Sequence, residues 1–173
     1  MLDKTSKAIY QILGIAVLVL SLPAWAQGAL QSEMQAWLVT LQADGTESFA
    51  AANSVEPGQV IEYRTLYTNA GAAPVSGLTV IGPVPVGTLY IGGSAATLVG
   101  HVFEASIDGG SSWHSEPLVR RVTLPDGSQK EQVIPPAEYT HVRWQAAEPL
   151  GADGSQEYRY RVSVEAVAEA VPE

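Results

Sequence analysis

From Trp37 onward apolar and polar residues alternate one for one in short runs, and turn-forming residues separate the runs. Trp37, Val39 and Leu41 make the first run, ended by Asp44-Gly45. Pro57-Gly58 opens a longer one over 59–68, with Ile61, Tyr63, Thr65 and Tyr67 on one face, closed by Asn69-Ala70-Gly71. Leu78 and Val80 mark a third strand, stopped at Pro83 and Pro85, which have no N–H to give to a ladder. Residues 87–91 predict a short fourth. Phe103, Ala105 and Ile107 alternate with Val102, Glu104 and Ser106 up to the turn Asp108-Gly109-Gly110. A strand is predicted over 119–124, ahead of Pro125-Asp126-Gly127, and another around Val142 and Trp144. The last is the clearest: Tyr158, Tyr160, Val162 and Val164 face one way, Arg159, Arg161, Ser163 and Glu165 the other. Period-two alternation with one polar face is the pattern of an antiparallel, half-solvated sheet.

Seven or more such strands, with turn signals between them and almost no helical periodicity, predict an all-β, immunoglobulin-like antiparallel β-sandwich. The exception to the pattern is the N-terminus. Lys4 and Lys7 precede an apolar stretch over 12–22, Pro23 interrupts it, and Ala24-Trp25-Ala26 supplies the small residues of a cleavage site. A positive start, a short apolar core and an Ala-x-Ala site predict a cleavable signal peptide over 1–26. The core is too short to span a bilayer, which takes roughly 20 apolar residues. Cleavage after Ala26 leaves a single domain over 27–173, 147 residues, enough for a core of its own.

Charge and cysteine content narrow the function classes. The mature part carries 7 basic and 17 acidic residues, a net charge of −10. That balance argues against nucleic acid and anionic membrane surfaces as partners, since both call for basic patches. The chain has no cysteine, so neither a disulfide nor a lipid-modified cysteine is expected. Together with the signal this predicts an exported chain, periplasmic or extracellular, with no stable membrane insertion after cleavage.

Candidate chemistry is sparse. His101, His114 and His141 stand apart, without the spacing of a zinc site. The pairs Asp44-Gly45, Asp108-Gly109, Asp126-Gly127 and Asp153-Gly154 each stand alone between strands, where Asp followed by Gly makes a tight turn; a calcium loop would gather several oxygen ligands within about a dozen residues. No catalytic, metal or cofactor-binding residue is predicted, and no cofactor. One segment is sharper: Ser106-Ile107-Asp108-Gly109-Gly110-Ser111-Ser112-Trp113 resembles the Asp-box, Ser-x-Asp-x-Gly-x-x-Trp, of sialidases and related propeller proteins. In those proteins the motif is a folded hairpin away from the active site. A single copy is read here as a structural turn in which Asp108 binds turn amides, Gly109 and Gly110 supply positive φ, and Trp113 covers the turn.

The stretch from Val55 to Ala95 carries a wider resemblance. Pro57-Gly58, Tyr63, Asn69 and Gly71, Leu78 and Val80, Pro85 and the segment 87–90 are similar to the pattern of the bacterial "domain of unknown function eleven", the conserved repeat domain of exported and surface proteins. Gly82 stands where that family usually has Asp. The resemblance implies an immunoglobulin-like sandwich in an envelope or surface protein, and no activity.

The expectation is therefore a non-enzymatic structural or protein-interaction domain of the bacterial cell envelope, with envelope or surface proteins as partners. The alternative is a carbohydrate-binding module using Trp37, Trp113 and Trp144, but each tryptophan alternates in phase with core residues, which predicts burial. Arg143, Arg159 and Arg161 fall on the outward sides of two strands that a hairpin through 151–154 would join. There they would form a small basic stripe; the expectation is that they pair across strands with Glu157 and Glu165, the alternative that the stripe binds a partner.

Overall fold

The structure is a computed structural model describing residues 29–166; the predicted signal and its cleavage site lie outside these residues. The strands follow in chain order as β1 (Leu30–Leu41), β2 (Glu47–Ala51), β3 (Val60–Asn69), β4 (Thr79–Pro83), β5 (Thr88–Tyr90), β6 (Ala96–Thr97), β7 (His101–Ser106), β8 (Val119–Thr123), β9 (Gln129–Val133), β10 (His141–Ala146) and β11 (Ser155–Val164), with one short 3₁₀ turn over Pro136–Glu138. The larger sheet has the order β2-β1-β3-β11-β5, with β6 also on β11; the smaller is β4-β10-β7; every pairing is antiparallel.

The two sheets pack as a sandwich because their inner faces are apolar at every second residue. Ile61 on β3 and Tyr158, Tyr160 and Val162 on β11 meet Val80 on β4, Val142 and Trp144 on β10 and Ala105 on β7, all buried. Trp144 is the hub: its ring centroid lies 5.8 Å from Tyr158, 6.1 Å from Tyr160 and 5.7 Å from Phe103. Aromatic pairs at such distances contribute about 0.5–1.5 kcal/mol each beyond burial. Tyr160 also crosses the sandwich to donate its hydroxyl hydrogen to the Pro83 carbonyl. Burial pushes its phenol well above the ordinary range, so it stays a donor.

The route between the sheets explains the strand order. The chain reaches the edge strand β7 before the central strand β10, then crosses over to insert β11 between β3 and β5. Asn69, fully buried, holds this crossing. Its amide nitrogen lies within hydrogen-bond distance of the carbonyls of Ala73, Leu150 and Gly151, at 2.8, 3.1 and 3.0 Å, and its side-chain oxygen accepts from Gly71 N–H. Residues 151–154 are thus a crossover between sheets and not the hairpin that the spacing suggested.

Three strands escape the sequence pattern: β2, β6 and β9. The first and last are exposed at every position, so no buried face imposes alternation on them. Strands β8 and β9 pair only with each other. The arm is rooted by buried Leu118 and Ile134, where Ile134 N–H donates to the Leu118 carbonyl, and by an ion pair of Arg120 with Glu138. Among the described residues no helix is long and apolar enough to cross a membrane.

Candidate functional site

The outer face of the larger sheet is set by register. Directly opposed residues share a face, which gives, among the rows across β1, β3 and β11, the central three Glu33–Leu66–Glu157, Gln35–Arg64–Arg159 and Trp37–Glu62–Arg161. Ala96 on β6 extends the middle row beside Arg159.

Glu62 is the anomaly in these rows, a carboxylate 1% exposed on a face that should be wet. It is buried because two guanidinium groups close over it. Arg64 Nε donates to Oε1 at 2.6 Å and Arg161 Nε to Oε2 at 2.7 Å. The rest of the Arg161 fork donates to both oxygens of Glu47, each at 2.7 Å. Those bonds raise the Arg161 pKa still further and hold the Glu47 carboxyl below its usual range. Arg64 leans the other way, 4.6 Å above the Phe49 ring and 5.6 Å from Trp37. The cluster therefore clasps the β1–β2 hairpin to the sheet. It also corrects the phase expected for the first strand: Trp37, opposed to Glu62, lies on the outer face, and Ala36 is the residue packed against the core.

Arg159 is placed differently. It is exposed, and no carboxylate lies within ion-pair distance of it among the described residues. Two adjoining depressions meet at its side chain. One, of about 400 Å³, is lined by Leu66, Ala96, Leu98, Val99 and Glu157 among others. The second, of about 480 Å³, runs from Ala96 and Arg159 past Arg161 to the loop carrying Gly92, Gly93 and Ser94. Side by side along β11, with Ala96 and Arg159 common to both, they make up the β11 groove, walled by residues of the 91–99 loop.

Arg143 is on the opposite outer face of the molecule, because β10 belongs to the smaller sheet. It pairs with Glu104 across β7 through Nε, at 3.0 Å, and Nη2, and its guanidinium stacks 4.3 Å over Trp113. Arg143 and the Gln145 amide, in that order, hold the Glu104 carboxyl below its usual pKa. The three arginines thus make no common stripe: the crossover after β10 puts both sheets and the core between Arg143 and the other two. Nor do Glu157 and Glu165 pair with them; the partners are Glu104, Glu62 and Glu47.

The turn after β7 is built around Asp108. One carboxylate oxygen accepts from Ser106 Oγ and Ser112 N–H, at 2.7 and 2.9 Å, and the other from Ser112 Oγ at 2.6 Å. Bonds from the Ser112 hydroxyl, the Ser106 hydroxyl and the Ser112 amide hold its pKa well below the carboxylate range. Gly109 and Gly110 have φ of 73° and 86°. Trp113 lies against Gly110 and meets His141 edge-on. Three donors of the loop itself thus occupy both carboxylate oxygens. Among the described residues no group of three His, Cys, Asp or Glu side chains could hold a metal ion.

Sequence reading singled out Arg159 and Arg161 but missed Arg64, Glu62 and Glu47. The available signal was the pair Glu62 and Arg64, opposite charges two residues apart on the polar face of β3; what buries them is the hairpin from β1 to β2, which no local pattern announces. No protein-family model matches the chain, and no curated protein or solved structure matches it.

Proposed function

We propose that the chain is an exported, non-enzymatic interaction domain of the bacterial cell envelope, related in kind to the conserved repeat domains that the stretch from Val55 to Ala95 resembles. The observation that carries the reading is the groove along β11, an open surface feature with a free arginine at its centre. The prominent carboxylates support it too. Glu62, Glu104 and Asp108 are each held by structural donors, whereas acid–base chemistry calls for a group free to exchange its proton with substrate. A sugar platform draws no support from the tryptophans. Trp144 is in the core, Trp113 lies under Arg143, and Trp37 is half-buried beside Arg64.

The test is expression of the full chain with a C-terminal tag, cell fractionation and in-cell photo-crosslinking from the outer face of the larger sheet. Export should yield a mature N-terminus at Gln27 and crosslinks to envelope proteins. Cytosolic material retaining residues 1–26 would overturn the reading.

A further inference from the structure

The geometry points to the groove along β11 as a binding site for an extended acidic peptide segment, with Arg159 receiving a carboxylate and the Leu66, Leu98 and Val99 side holding a neighbouring aliphatic side chain. This rests on the reading of the chain as an interaction domain and names the chemistry of its partner.

Two independent observations carry it. The first is an unfavourable pairing in the sheet. Arg159 stands directly opposite Arg64 across the β11–β3 ladder, and like charges in directly opposed positions are destabilising. Arg64 escapes by turning over Phe49 and giving its Nε–H to Glu62. Arg159 gains no such partner, although acidic residues outnumber basic ones two to one over the whole chain, 18 to 9. Among the described residues its only compensation is a longer-range attraction to Glu47, and a local rule broken without a direct partner is what a binding position looks like.

The second is the shape and lining of the groove. Its two depressions share Ala96 and Arg159 in their lining, so an extended segment in either one reaches the guanidinium. Leu98 is fully exposed and Leu66 40% exposed, leaving an apolar wall beside the charge. A guanidinium fork matches a carboxylate geometrically, and aliphatic contacts beside it suit Val or Leu in the same peptide. The lining contains no aromatic ring, so an acidic polysaccharide, which would want a stacking platform, fits less well.

The probe is a fluorescent peptide, acetyl-Gly-Leu-Glu-Leu-Glu-Gly-amide, titrated with the mature chain by anisotropy, against its Gln-for-Glu counterpart and a uronic-acid oligosaccharide. The acidic peptide should bind, more weakly as salt rises, and at least five-fold tighter than the Gln peptide. Arg159→Gln should lower that affinity about five- to tenfold with a melting temperature no lower than wild type, because Arg159 holds no direct structural partner and its loss relieves the opposition to Arg64. Glu157→Gln should strengthen it by removing a neighbouring like charge. No binding of the acidic peptide, equal binding by Arg159→Gln, or preferential binding of the oligosaccharide would each overturn the inference. Crosslinking to envelope proteins that survives Arg159→Gln would leave the interaction domain standing and reject only this site.

Discussion

The two arginines of β11, two residues apart, have opposite roles. Arg161 is a structural cation: its fork joins Glu62, buried beneath it, to Glu47 on the β1–β2 hairpin. Removing one member of a buried charge cluster leaves the other uncompensated in a dry place, which is strongly unfavourable. Arg161→Ala should cost about 2–4 kcal/mol, less than a fully buried pair because Arg161 itself keeps a quarter of its side-chain surface. Chemical denaturation of this variant beside Arg159→Gln checks it; equal midpoints would contradict the clasp. Charge reversal at both arginines together would mix unfolding with lost binding, so only Arg159 tests the groove cleanly.

At the scale of the element, β4 shows how two strands specify each other. Gly82 faces inward opposite Val142, and a Cβ there would sit 2.5 Å from a ring carbon of Tyr160. Gly82→Ala should therefore destabilise by about 1–3 kcal/mol, the range for overpacking a filled core. The same substitution in a Tyr160→Val background should cost far less, since the ring that it strikes is gone. A double-mutant cycle on thermal unfolding measures this coupling, and additive effects would show that Tyr160 is not the obstacle. The β8–β9 arm is the contrary case: no residue of either strand is buried, and isolated two-stranded hairpins are marginal in water.

Across the whole molecule, acid should act through a few defined carboxylates. Asp108, Glu104 and Glu47 all have folded pKa values below their ordinary ones, because hydrogen bonds from Ser112, Arg143 and Arg161 favour the charged form. A depressed folded pKa contributes stability that is complete above the unfolded value, near 4, and is lost as pH falls through the folded value. The melting temperature should accordingly be insensitive to these groups from about pH 5 upward and fall below about pH 4. Asp108→Asn should melt a few degrees lower than wild type at neutral pH, with the gap narrowing towards pH 2 as the unfolded chain takes up at Asp108 the proton that the folded carboxylate resists. Calorimetry over that range checks the sign; a gap that stays constant would mean that the charge on Asp108 holds nothing in place.

Alternation by itself determined the β class and the faces of β3 and β11, because a strand with one buried face must repeat every two residues whatever it packs against. The turn around Asp108 was equally legible, since its donors, Ser106 and Ser112, lie within four residues of it. Tertiary structure decided everything that depends on which strand lies beside which. The crossover held by Asn69 put β10 and β11 into different sheets, separating Arg143 from Arg159 and Arg161. The β1–β2 hairpin turned Trp37 outward and buried Glu62, because its register against β3, and not its own pattern, assigns the face. The groove likewise exists only where the 91–99 loop returns to pair with β11, some sixty residues away in sequence. Local pattern records how each strand meets solvent; only the assembled sheets decide which charges meet each other.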